Sequence, residues 1–327
     1  MADQRNQVNI PANLVPKVWA KKVWHEGVKD SYFDKFTAMD GSNVVHQNKD
    51  LTNVKGDSVV FGLMMNLSGN GVEGNRAKLS GAEDSLNIYD FTVQTQLVRN
   101  AVSRFESDDQ KTQYDMLKEI KVVLKQWLSD WLDNKLIEKL TTSNTANETI
   151  YASAAGTISS ITANDKLTTT LISRAKRKAM MHAPKVQPIK IDGMDKYIML
   201  VSPWAAKDLK DDPKWLAAQQ NANVRGSKNP IFTGALGEYD GVVLYEYERV
   251  LTSASGASGA NVCNNLLLGK QAACFAVARP AKHIEQTDDY GNIAGNGIAF
   301  YGAVEKTKFN MADYGVIAVK TGGAVER

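Results

Sequence analysis

Cysteine is almost missing: Cys263 and Cys274 are the only two in 327 residues. Both lie in an apolar stretch, which fits buried thiols in a reducing compartment better than a disulfide framework. Histidine is nearly as scarce. His25, His46, His182 and His283 are scattered without His-x-x-x-His spacing, and neither cysteine has a ligand-type partner two to four residues away, so the sequence offers no metal site. No uninterrupted apolar run approaches the roughly 18 residues of a membrane span, and the opening Met-Ala-Asp-Gln-Arg-Asn lacks the charged-then-apolar pattern of a secretion signal. A soluble chain that begins in a cytoplasm, with no membrane partner, is expected. A large excess of one charge is also lacking. The 39 Lys+Arg against 36 Asp+Glu leave +3, too little for a protein whose main task is to coat nucleic acid. There is no Gly-x-Ser-x-Gly elbow. Gly269-Lys270 is followed by Gln271, with Asn264 where the first Gly of a P-loop belongs. A hydrolase assembled in space from separated Ser, His and Asp is not excluded by sequence, but nothing supports one. No tandem repeat of fixed period occurs.

What is present argues for a folded chain with projecting parts. Hydrophobic residues make up 43% and glycine numbers 24, close to the globular norm. The length exceeds what one core usually organises, so two or three lobes, or one lobe with extended arms, are expected. From Val15 to Met39, Val15, Trp19, Val23, Val28, Tyr32, Phe36 and Met39 recur at helical spacing. That predicts an amphipathic helix whose stripe must return onto a distant part of the chain or onto a neighbour, and both remain open. Residues 42–105 read as an extended hairpin: a strand at Asp57–Met65, a tip broken by Gly62, Gly69, Gly71, Gly74 and Gly81, and a strand over Ile88–Arg99. In the second strand Tyr89, Phe91, Val93 and Leu97 share one face, and its length would be roughly 40 Å. Such a hairpin is marginal alone and needs a third strand, a helix or another subunit.

Ser107-Asp108-Asp109-Gln110 matches a capping box and predicts a long helix to Leu140, with a stripe of Leu117, Ile120, Leu124, Trp127, Leu128, Trp131, Leu136 and Leu140. At about 50 Å it would form a spine across a flat molecule. Leu167, Leu171, Ala175 and Ala179 predict a shorter helix that stops before Pro184. The remainder is mixed: strands at Lys196–Val201 and Val242–Glu248, helical turns over Trp204–Leu216 interrupted at Pro213, an exposed loop over Leu251–Ala260, and strands at Leu266–Leu268, Ala272–Ala278, Ile298–Val304 and Tyr314–Val319. The fold class is α+β.

Two segments carry candidate chemistry. Gly69-Asn-Gly71-Val-Glu-Gly74 satisfies Gly-x-Gly-x-x-Gly, with Asp90 roughly where a dinucleotide fold places its ribose-binding acid. That fingerprint needs a helix directly after the turn, and Asn75–Gly81 is too short, so a hairpin tip is the better reading. Arg174, Lys176, Arg177 and Lys178 form the densest basic cluster, and residues 171–190 hold six basic side chains and no acid. A solvated helix face and a contact with nucleic acid or an acidic neighbour both remain open.

Several second-half stretches resemble a known family. They are Lys196-Tyr-Ile-Met-Leu-Val-Ser-Pro, Asn229-Pro-Ile-Phe-Thr-Gly-Ala-Leu-Gly-Glu-Tyr-Asp-Gly-Val-Val, Leu268-Gly-Lys-Gln-Ala-Ala-Cys, Asp289-Tyr-Gly-Asn and Lys308-Phe-Asn-Met-Ala-Asp-Tyr-Gly-Val-Ile-Ala-Val. With the order arm, hairpin, spine, α/β lobe and returning strands, the chain is similar, from Val15 to Val319, to tailed-bacteriophage major capsid proteins. Within them it resembles the podovirus coat proteins typified by the enterobacterial phage with a giant virion polymerase. The resemblance implies residues 1–41 as an N-arm, 42–105 as the extended loop, 106–184 with 271–327 as the peripheral domain, and 185–270 as the axial domain at the centre of each hexamer or pentamer. It implies self-association into an icosahedral shell around double-stranded DNA, no cofactor and no catalytic residue. Portal and decoration proteins would be further partners, with only weak contact to packaged DNA. Members with a long N-terminal scaffolding segment differ, since the spine here starts near residue 107; a separate scaffolding protein and no large N-terminal cleavage are expected. Some members cross-link Lys to Asn, which a sequence does not reveal. Candidate subunit contacts are Trp19, Val23, Phe36, Phe61, Met64, Tyr89, Phe91 and Val93. Arg174, Lys176, Arg177 and Lys178 are candidates for the inner face or an acidic partner. A cellular nanocompartment of the same fold and a dinucleotide-binding oxidoreductase are the alternatives.

Overall fold

The computed structural model describes residues 31–52, 56–65, 67, 72–73, 80, 83–105, 116–142, 148–191, 193–221 and 236–323. Two sheets and one long helix organise them. The first sheet has five strands: β1 (Thr37–Ala38), β2 (Val45–Asn48), β5 (Gln96–Phe105), β13 (Ala273–Asp288) and β14 (Ile293–Lys306), in the order β1-β2-β13-β14-β5. The second runs β6-β17-β12-β8-β10-β9, built from β6 (Thr149–Tyr151), β8 (Met194–Val201), β9 (Gly237–Tyr239), β10 (Val242–Glu246), β12 (Asn261–Leu268) and β17 (Val316–Gly323). Its short additions are β7 (Ile189–Ile191) on β8 and β11 (Thr252–Ser253) on β12. Two separate ribbons remain, β3 (Ser58–Met64) with β4 (Ile88–Gln94), and β15 (Lys308–Phe309) with β16 (Ala312–Asp313).

The spine is α1 (Met116–Thr141), 26 residues and therefore about 39 Å long at about 1.5 Å per residue. Ile120, Leu124, Leu128, Leu132, Leu136 and Leu140 recur every fourth position and are all buried. That stripe serves both sheets at once. It shares a core with Phe275, Val277, Phe300 and Val304 of the first sheet and with Ile198, Leu200, Leu266 and Val316 of the second. The expected capping box lies outside the described residues.

The opposite face of the second sheet is covered by α2 (Thr169–Met181), α3 (Pro203–Lys210) and α4 (Pro213–Asn221). Leu171, Ala175 and Ala179 of α2 meet Tyr197, Met199, Leu267 and Ile317 there. Small residues on α2 let the helix lie close to the sheet. The packing therefore divides the chain differently from the expected boundaries. α2 and β17 belong with the strands of residues 185–270, so a cut at 184/185 passes through one core. The predicted long strand Ile88–Arg99 also divides. Thr95 is 7% exposed and gives both its amide (2.8 Å) and its hydroxyl (2.9 Å) to the Asp57 carbonyl, which ends β4 and hands the chain to β5 in the other sheet. The projecting part is therefore β3 and β4, and β5 is structural, paired with β14 from Gln96–Gly302 to Phe105–Ile293.

The two-residue turn between β9 and β10 follows the expected chemistry, with Asp240 at φ 50° and Gly241 at φ 69°. Gly315 sits at φ +78° with a would-be Cβ only 2.8 Å from the Ala272 backbone, so both conformation and space demand glycine.

Candidate assembly interface

At the root of the arm, Tyr32–Phe36 forms one 3-10 turn laid on the spine. Its first amide is capped from outside: the Tyr32 N–H donates to Asp133 Oδ2 at 2.9 Å, and the Ser31 hydroxyl donates to Asp133 Oδ1. Aromatic packing holds the rest. Tyr32 stacks on Tyr247 at 4.1 Å, and the Lys35 ammonium lies 4.0–4.8 Å from the rings of Tyr32, Tyr245 and Phe36. Burial pushes the Lys35 pKa down and the Tyr32 and Tyr247 phenols far up, so those phenols stay protonated at physiological pH. Phe36 is 5% exposed within this core. Its apolar surface is spent inside the subunit, which removes it from the candidate contacts. Trp19 and Val23 lie outside the described residues.

The hairpin is two-faced. β3 and β4 pair antiparallel from Ser58–Gln94 to Met64–Ile88. Val59, Phe61 and Val93 pack onto the first sheet against Cys274 and Ala276 and are buried. These two sequence candidates, Phe61 and Val93, are thus corrected as well: the base of the hairpin finds its cover on the back of β13 and β14. Phe91 and Tyr89 are half-buried, with Phe91 edge-on to Phe309 at 6.4 Å. The other face is bare. Val60, Met64 and Ile88 are 61–64% exposed, and Leu67 and Leu86 beside them are also exposed. Met64 and Ile88 sit directly opposite one another, the closest side-chain relation a ribbon provides. Met64 is the sequence candidate that the structure leaves open to a partner. Sequence reasoning chose the other hairpin residues from the more regular alternation, and that alternation marks the covered face.

The Gly-rich stretch at 69–74 lies largely outside the described residues, but its flanking strands are antiparallel neighbours. A dinucleotide site requires a strand leading into a helix and a parallel return, so this connection has the wrong architecture.

The basic cluster on α2 is sorted by its partners. Lys176 is paired with Asp240 at 2.8 Å. Lys178 donates to the Thr149 carbonyl at 2.9 Å, its pKa lowered first by burial and opposed by Glu148. Arg174 and Arg177 are exposed.

Sequence reasoning placed strands at Ala272–Ala278 and Ile298–Val304 but missed their full length and their pairing. β13 and β14 have 16 and 14 residues and form a second hairpin closed by Asp289-Tyr290-Gly291, where Tyr290 is fully exposed at φ 52°. The apolar alternation Ile298, Phe300 and Val304 was the available signal along β14; glycines at 295, 297 and 302 diluted it.

One long helix is thus packed between two sheets, and a two-stranded ribbon lies on the first of them by a single face. A family model described as phage capsid protein matches residues 13–153 and 138–325. The chain belongs to that family. The major capsid protein of Pseudomonas phage KPP25 is 25% identical, covering 92% of this chain and 93% of that protein. The capsid of Ralstonia phage GP4 superposes with a TM-score of 0.79 at 25% identity, over 99% of this chain and 97% of that one. The Cyanophage Pam1 capsid subunit gives a TM-score of 0.80 at 21% identity, over 99% and 98%, and shows the same fold.

Proposed function

We propose that this phage major capsid protein works as the repeating subunit of an icosahedral shell, joined in hexamers and pentamers through the bare face of its hairpin. The observation that carries this is the row Val60, Met64 and Ile88, more than 60% exposed on a ribbon whose other face is already packed. Isolated ribbons are marginal, and covering this face by another copy stabilises ribbon and lattice together. Tyr89 and Phe91, half-covered on the ribbon's other face, are proposed as a separate contact. Trp19 and Val23 of the arm are proposed as further contacts.

The role is structural, and the virion shell is where the protein resides. Double-stranded DNA as the enclosed genome, a podovirus particle, assembly in the host cytoplasm, and separate scaffolding, portal and decoration partners belong to the same proposal, supported by the capsid relatives. So does the placement of the lobe containing β8–β12 at the centre of each capsomer. Negative-stain microscopy of the purified chain, with and without a co-expressed scaffolding protein, tests it. Closed polyhedral particles are expected; a chain that stays monomeric under both conditions refutes the reading.

A further inference from the structure

We infer that the cleft between α2 and the segment Thr149–Gly156 binds a phosphoryl group, gripped by Arg174 and Arg177, whether that group is a free oligophosphate or part of a nucleic-acid backbone. The cleft has a volume of about 670 Å³, with Arg174, Arg177, Lys178 and His182 on one wall and Tyr151 and Ser153 on the other. Its size falls in the range of small-molecule sites, about 300–1,000 Å³.

The cations around it are not equivalent. Lys176 is committed to Asp240, and Lys178 to the Thr149 carbonyl. His182 is held at both ring nitrogens, Nδ1 lying 2.9 Å from the Pro184 carbonyl and Nε2 3.0 Å from Glu148. Glu148, the acid of this network, is 2% exposed and does not line the cleft. That leaves Arg174 and Arg177. They stand three residues apart, on neighbouring turns of one helix face, and among the described residues neither has a carboxylate partner.

The helix dipole does not account for them. It favours cations only within the last turn, where Lys178 is the basic residue, and both arginines precede it. Two uncommitted guanidinium forks at the mouth of one cleft suit a group with several oxygens at tetrahedral angles. A single carboxylate needs one fork and far less room. Hydroxyls of Tyr151 and Ser153 add donors from the facing wall. The cleft is complete within one chain, so the inference stands apart from the assembly reading.

The test uses the full chain as soluble subunits: calorimetric titration with sodium triphosphate, and fluorescence anisotropy with a labelled DNA duplex. The expected result is saturable binding of triphosphate, weakened at least about tenfold in the Arg174→Ala/Arg177→Ala variant, with Lys176→Ala changed by less than about twofold. If the duplex binds too, the slope of log K against log salt falls by about two in the double variant, one for each lost phosphate contact. Triphosphate binding alone assigns the site to free phosphates; binding of both extends it to nucleic acid. An Arg174→Lys/Arg177→Lys variant keeps the charge but loses the forks, and an intermediate affinity is expected even should the alanine variant fold poorly. Absence of binding to either probe, full affinity in the double alanine variant, or preferential binding of polyglutamate overturns the inference.

Discussion

Replacing Met64 by Asp separates the free energy of folding from that of assembly. Met64 and Ile88 face each other on the uncovered side of the ribbon, 64% and 62% exposed. Covering either by a neighbour removes about 100 Å² of apolar surface, or about 2.5 kcal/mol at about 25 cal/mol/Å². Met64→Asp forfeits that term and obliges a carboxylate to lose water on docking. At about 1.4 kcal/mol per tenfold, the subunit concentration needed for shells should rise by at least about 60-fold. Folding should barely notice, because the side chain contributes little to the interior, and exposed substitutions typically stay within about 0.5 kcal/mol. Sedimentation velocity over a concentration series reads assembly, and urea unfolding of subunits reads stability. Shells forming at the wild-type concentration, with unfolding unchanged, would show that this face is not an interface. A loss of more than about 1 kcal/mol in unfolding would mean instead that the face is already packed within the subunit.

Three further outcomes follow from buried groups. Lys306 and Asp313 form a 2.7 Å ion pair with side chains 3% and 0% exposed, and Lys306 also donates to the Thr142 carbonyl at 2.9 Å. Asp313→Ala should cost about 3–5 kcal/mol in urea unfolding, whereas Lys306→Met with Asp313→Leu should come near neutral; equal losses in both would refute the argument. His283 is held below its ordinary pKa of 6.5, by burial first and then by Lys121, with Glu285 opposing. The unfolded chain thus binds the proton more readily, so His283 contributes stability that is present above about pH 6.5 and lost as pH falls through that value towards the folded pKa. His283→Gln should flatten the acid limb of an unfolding midpoint series from pH 7.5 to 5. Burial raises both thiols, Cys274 to about 11. A thiol-specific chromophore at pH 8 should label neither cysteine in the native subunit and both in denaturant; rapid native labelling refutes the assigned burial.

The elements legible in the sequence are those whose pattern and burial come from one neighbour. The spine stripe from Ile120 to Leu140 reads directly because a helix face against a continuous core repeats every fourth residue. The small-residue face of α2 and the Asp240-Gly241 turn were readable for similarly local reasons. Thr95 was not. A threonine between two alternating runs gives no warning that it is buried or that its hydroxyl and amide both close on Asp57, yet that contact moves the chain from one sheet to another. Nor could spacing divide Arg174 and Arg177 from Lys176 and Lys178, since the partners Asp240 and the Thr149 carbonyl arrive from segments 64 and 29 residues away in sequence.

The same division explains why apolar alternation located the hairpin but misassigned its contacts. A strand in a subunit that both folds and assembles has two apolar demands on opposite faces, and the stronger periodic signal belongs to the face satisfied first. On β3 and β4 that is Val59, Phe61 and Val93, anchored on Cys274 and Ala276. Val60, Met64 and Ile88 then look like noise in the alternation, apolar where a solvated strand should be polar. Departure from binary pattern on an element whose base is already packed is thus the more informative feature: it marks surface that folding leaves exposed, which the proposed assembly would cover with a second copy.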